Sequence, residues 1–130
     1  MTDPIADLFT RIRNAAEVGH RTLDVPHSKL KEAVGDLLVR EGFVKEQRVT
    51  EVGGRRRIRL YLRYDQDGVP VIQYLHRVSR PGLRVYRDVR SLPHVRRGLG
   101  VGIYTTSRGV LTDRECRERR LGGEYMGRVW

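Results

Sequence analysis

Five consecutive residues concentrate hydrogen-bonding chemistry: Thr105-Thr106-Ser107-Arg108-Gly109 offers three hydroxyls, a guanidinium and backbone donors that a glycine leaves accessible. Nucleophilic catalysis is one chemistry Ser107 can do, but no His or Lys stands near it in sequence to act as a base. Contact with phosphate, ribose or a base edge is another, since several oxygens can be met within a small area. An ordinary connection between a strand and a following helix is the third reading of the same residues.

Other residues of chemical interest point away from catalysis. Gly98, Gly100 and Gly102 alternate without opening a helix, so they lack the dinucleotide fingerprint, and no Gly-Lys-Ser/Thr motif is present. His20, His27, His76, His94 and Cys116 lack the close spacing of zinc ligands. Asp65 and Asp67 begin like a calcium loop, but Gly68 follows too soon and no Glu stands at the required distance. No catalytic residue, metal or cofactor is therefore expected, and the chain reads as a non-enzyme. The alternative is an RNA-modifying or hydrolytic enzyme acting on structured RNA.

Charge supports a polyanionic partner. The 130 residues carry 26 Lys and Arg against 16 Asp and Glu, a net charge of +10, and 23 of the cations are Arg. Residues 1–64 hold 13 basic and 9 acidic side chains and residues 65–130 hold 13 and 7, so the excess is spread over folded surface and not gathered in a tail. The guanidinium fork pairs with phosphate and stacks on bases. Met-Thr-Asp-Pro-Ile lacks the basic start and apolar run of a secretory signal, and a lone cysteine permits no disulfide framework. A cytoplasmic protein without membrane contact is expected.

The elements that position these residues form an α+β pattern with two small lobes. Asp3 caps and Pro4 opens a helix whose apolar stripe is Ile5, Leu8, Phe9, Ile12, Ala15 and Ala16; Asp7, Thr10 and Asn14 lie opposite, with Arg11 and Arg13 on the flanks. Thr22 to Pro26 is extended. A second helix from Ser28 to just before Gly42 is expected to bury Leu30, Ala33, Val34, Leu37 and Leu38. Phe43–Val52 and Arg55–Tyr64 form a hairpin through Gly53-Gly54, with Ile58, Leu60 and Leu62 alternating against Arg57, Arg59, Tyr61 and Arg63. The turn Asp65-Gln66-Asp67-Gly68 divides an N-terminal lobe, 1–64, of helices packed on a short sheet from a strand-rich C-terminal lobe, 65–130, with one short helix. In that second half, strands are expected over Val69–Val78 and Leu83–Tyr86, with a helical turn within Ser91–Arg97. A strand follows through Val101, Ile103 and Thr105, then a helix capped by Thr112 and Glu115 ending near Leu121, and a last strand from Glu124.

Four ordered patches resemble one family. Thr105 to Asp113 is similar to the pattern Ser-Thr-Ser-x-Gly-Val-Leu/Met-Thr-Asp of the bacterial small-subunit ribosomal protein eight family. Thr2 to Asp7 with Thr10 to Ala15, Ser79 to Tyr86, and Gly122-Gly123-Glu124 resemble other stretches of the same family. The resemblance implies a two-lobed protein that binds the central domain of 16S rRNA, helps assemble the small subunit beside neighbouring ribosomal proteins, and represses its own operon through a messenger that mimics the ribosomal site. It implies RNA contacts at Thr105, Thr106, Ser107, Gly109, Tyr86, Gly123 and Glu124, with a second group at Thr2, Asp3, Asp7, Thr10 and Arg13. Thr105 stands where Ser is usual and Cys116 where Ala is common. Glu124 either accepts from a base amino group or anchors a neighbouring Arg, and Tyr86 either offers a stacking face or packs in the core.

Overall fold

The computed structural model describes residues 2–130. Helix α1 (Pro4–Val18) starts where Asp3 accepts the Ala6 N–H at 3.1 Å, and it buries the six apolar residues that helical periodicity selects. Strands β1 (Thr22–Pro26), β2 (Val44–Val52) and β3 (Arg55–Leu62) form an antiparallel sheet in the order β1-β3-β2, with Ile58, Leu60 and Leu62 turned inward. Helix α2 (Lys29–Arg40) is capped by Ser28. Its buried stripe is rotated from the expected one: Lys31, Val34, Gly35, Leu37 and Leu38 face the core, Ala33 packs at its margin and Leu30 is 40% exposed. Lys31 takes the core-facing position by laying its aliphatic stem along apolar surface, and burial lowers its pKa.

The second sheet contains β4 (Leu75–Arg77), β5 (Tyr86–Arg87), β6 (Val101–Thr106), β7 (Gly109–Thr112) and β8 (Gly123–Val129), all paired antiparallel. The long strands expected over 69–78 and 83–86 shrink to β4 and β5. Pro70 lacks an N–H, Val71 donates to the Arg63 carbonyl just past β3, and Gln73 and Tyr74 both donate to the Trp130 carbonyl just past β8. One edge of β8 is then shared, β4 pairing with residues 127–129 and β5 with 123–124. The Ser79–Val85 chain turns between them, closed by the Arg80–Leu83 bridge. Residues 91–97 hold only parts of two 3-10 turns, Val89–Ser91 and Arg96–Gly98. The connection at 107–108 joins two strands, since Gly109–Thr112 pairs with β6 before helix α3 (Asp113–Arg119) begins from the Thr112–Glu115 capping box. That strand is short and runs directly into the cap, which hides it in the sequence.

Alternation along the second sheet serves two cores. Ile103, Val110 and Met126 join a continuous cluster with α1, α2 and the first sheet, so this core takes residues from both sides of the Asp65–Gly68 turn. Tyr104, Leu111 and Tyr125 face the other way, onto Leu92 and the fully buried Cys116 of α3. Cys116 is thus a small apolar filler, its thiol pushed up to about 11 by burial. No helix among the described residues is long and apolar enough to cross a membrane.

Tyr104 stacks on Tyr125 with centroids 4.6 Å apart, and its buried hydroxyl has no hydrogen-bond partner among the described residues. An unmatched buried hydroxyl is destabilising by roughly 1 kcal/mol or more. Tyr104→Phe is expected to raise the melting temperature by about 3 to 5 °C in a thermal unfolding scan. A lower melting temperature would reveal a partner for that hydroxyl.

Candidate nucleic-acid interface

The hydroxyl-rich segment is a tight hairpin turn. Thr106 Oγ1 accepts the Arg108 N–H at 3.0 Å and donates to the Gly109 carbonyl at 2.8 Å, while Gly109 sits at φ +102°, where a side chain would be strained. Thr106 and Gly109 therefore hold the turn. Ser107 and Arg108 form its exposed tip, and the Ser107 hydroxyl makes no hydrogen bond among the described residues.

Behind the tip, the sheet lines up three further residues. Thr105 on β6 pairs in register with Glu124 on β8, which pairs with Tyr86 on β5, so the three side chains share one face. Gly123 allows the close approach, because a Cβ there would lie 2.3 Å from the Thr105 carbonyl oxygen. Thr105 Oγ1 donates to Met126 Sδ. Tyr86 is 65% exposed, which rules out core packing as its role. Glu124 Oε2 accepts from the buried Ser79 hydroxyl at 2.7 Å and from Arg84 at 2.9 Å, while Oε1 has no protein partner among the described residues. Glu124 does anchor an arginine, and one of its oxygens remains available.

The N-terminal group divides among three places. Thr2 and Asp3 meet Arg77, Arg84, Thr105 and Glu124 around a cleft of about 220 Å³. Thr10 and Arg13 line an adjoining hollow of about 310 Å³ with His76, Arg77 and Arg80. Asp7 lines neither and pairs with Arg11 at 2.9 Å. Asp3 is occupied structurally, accepting from Arg77 Nε and Nη2 at 3.1 Å each while it caps α1. Burial raises the Asp3 pKa, but the Arg77 and Ala6 hydrogen bonds outweigh it and hold the carboxyl below its ordinary 3.8. Arg13 donates to the Leu75 carbonyl at 2.6 Å and to Thr10 at 3.1 Å, clamping α1 to β4.

Sequence reasoning about individual side chains missed Ser79, Arg77, Arg80 and Arg84. Ser79, Arg80 and Arg84 lie in the family-like stretch 79–86; nothing local singled out Arg77. Together the surface offers an unengaged hydroxyl tip, oriented guanidinium groups, a free carboxylate oxygen and an exposed tyrosine ring. That set suits a polyanion carrying its own donors and acceptors.

The ribosomal protein S8 family model matches residues 3–130. The chain belongs to the ribosomal protein S8 family. Small ribosomal subunit protein uS8 of Streptococcus equi subsp. zooepidemicus (strain MGCS10565) is 50% identical over 130 residues, covering all of this chain and 98% of the relative. The uS8 proteins of Streptococcus sanguinis (strain SK36) and Streptococcus gordonii (strain Challis) are 49% and 50% identical over the same shares. The S8 resemblance read from four patches thus extends along the whole chain, and Asp3, where the match begins, joins α1 to β4 through Arg77.

Removing the Asp3 carboxylate is expected to lose both a helix cap and the partner of a nearly buried guanidinium, about 3 kcal/mol in all. Because the folded-state pKa is depressed, this stabilisation is present above the ordinary value of 3.8 and is lost as pH falls through the lower folded value. Denaturant titrations of wild type and Asp3→Ala should differ by that amount at pH 7, and the difference should shrink as pH falls below 3.8 through the depressed folded-state value.

Proposed function

We propose that this S8-family chain is a structural component of the small ribosomal subunit in the cytoplasm. It binds the central domain of 16S rRNA directly and helps assemble the subunit beside neighbouring ribosomal proteins. The observation that carries this reading is a cleft where Thr105, Glu124 and the Asp3–Arg77 bridge meet, with Tyr86 in register beside Glu124 and the Ser107 tip at the end of the hairpin that carries Thr105, in a chain of net charge +10. A regular RNA duplex hides its major groove, so directional groups of this kind act on an irregular stem with exposed bases and ribose. Ser107 supplies a hydrogen bond, Tyr86 a stacking face, and Glu124 Oε1 an acceptor for a base amino group.

The second lobe, 65–130, carries the sharper recognition, and Thr2, Thr10 and Arg13 add contacts from the first, 1–64. The same cleft binds the messenger of the protein's own operon and represses its translation, since an RNA that copies the stem meets the same groups. An RNA-modifying or hydrolytic role is disfavoured because the Ser107 hydroxyl has no base bonded to it.

Filter binding to a central-domain stem should give a falling line of log affinity against log salt, with specificity surviving competitor RNA. Ser107→Ala should weaken binding by about 1 to 2 kcal/mol without lowering the melting temperature. Equal affinity for scrambled duplexes would refute the reading. Glu124→Gln removes the charge and keeps one acceptor, so the ratio of cognate to scrambled affinity should fall; an unchanged or higher ratio in a well-folded variant would remove Glu124 from recognition.

A further inference from the structure

A separate hollow of about 500 Å³ is lined by Arg21, Lys45, Tyr61, Leu62, Arg63 and Tyr64. Its place follows from Tyr64, whose hydroxyl donates to the His20 carbonyl just beyond the C-terminal end of α1. Thr2 and Asp3 mark the opposite end, and fifteen residues at 1.5 Å each put the two sites about 20 Å apart.

Its composition is one-sided. Arg21, Lys45 and Arg63 are exposed, none is ion-paired among the described residues, and Arg63 donates only to the Gly42 carbonyl at 3.2 Å. Among the described residues, no carboxylate lines the hollow. On the adjoining sheet face, Glu46 is held by Arg48 at 2.9 Å and Asp24 by Arg59 at 2.8 and 3.1 Å, so neither neutralises it. The half-buried Tyr61 ring has the Arg48 guanidinium 5.5 Å from its centroid. The alternation of Arg57, Arg59 and Tyr61 along β3, continued by Arg63 just past its end, therefore ends in a concave cationic and aromatic site.

We infer that this hollow is a second RNA contact, taking phosphates on Arg21, Lys45 and Arg63 and an unstacked base beside Tyr61 and Arg48. It rests on the reading above only for the class of ligand. An acidic protein segment would satisfy the cations but leave the tyrosine and guanidinium pair without a stacking partner, whereas a single-stranded or irregular RNA uses both. Three phosphate contacts to a single strand correspond to a salt slope of about 2.

The test uses the full chain and a short oligouridylate carrying 4-thiouridine. Irradiation is expected to leave cross-links within residues 61–64, mapped by mass spectrometry on the unsubstituted protein. Combining Arg21→Gln, Lys45→Gln and Arg63→Gln should reduce them at least about fivefold and lower the salt slope by about 2. The melting temperature and affinity for the central-domain stem should hold, since the three residues are exposed and lie at the far end of α1. Cross-links confined to 105–109, an unchanged slope, or an equal loss of stem affinity would overturn the second site. Displacement of the oligonucleotide by a glutamate-rich peptide at lower concentration than by unlabelled RNA would overturn RNA as the occupant. Cross-links at 61–64 in a protein that does not distinguish cognate from scrambled stems would sink the reading of the hydroxyl cleft and leave this one standing.

Discussion

The Asp3–Arg77 pair holds the recognition surface together. One carboxylate caps α1 and receives two N–H groups from an arginine of β4, whose third donor reaches the Met126 carbonyl of β8 at 2.8 Å. The first helix is thereby fixed to the second sheet at the point where Thr2, Thr105 and Glu124 converge. The arginine side chain is 9% exposed, so the interaction works in reduced solvent screening and losing one partner leaves a desolvated charge. The apolar core shared by α1 and both sheets supplies the non-directional attraction, and this pair sets the register.

A second constraint comes from β8. Its outer edge cannot be paired by one continuous strand, because Pro70 and the Pro81-Gly82 turn interrupt the chain on either side. Two short strands divide that edge, and the excursion between them carries Ser79 and Arg84 to Glu124. The irregularity that shortens the strands is what equips the cleft. Tight strand packing contributes too, since the Thr105 carbonyl lies where any side chain at position 123 would begin.

Much of this was legible in residue order. The first helix, with its cap and stripe, the extended 22–26 segment, the hairpin through Gly53-Gly54 and the capping box at Thr112 all follow from local rules, and each forms within a residue or two of expectation. The misses share a cause. Leu30 and Lys31 exchange places because the face α2 presents is chosen by the sheet it packs on, and propensity along the helix carries no record of that. The 69–78 strand shortens because only Leu75–Arg77 finds a continuous ladder, on β8, while Val69 is exposed and Ile72 is buried by tertiary contacts. In the cleft, Ser107 and Glu124 were visible as chemistry, yet the Glu124–Arg84 and Asp3–Arg77 pairings join residues 40 and 74 positions apart, beyond any local pattern.

These pairings also explain why a strongly cationic protein keeps carboxylates beside its recognition surface. The more exposed Arg84–Glu124 pair adds little to stability, and both pairs lower the local attraction for phosphate. What they supply is orientation. A free arginine side chain on the surface loses up to about 2 kcal/mol of rotamer entropy when a ligand immobilises it. Arg77 and Arg84 are already held, so part of that loss is incurred on folding, and N–H groups of Arg84 not directed at Glu124 remain for a ligand. Arg108 and Arg80, without carboxylate partners among the described residues, contribute undirected attraction that any polyanion can use. Discrimination among RNAs therefore falls to the groups whose positions folding has set, and the local reduction in net charge is the condition for setting them.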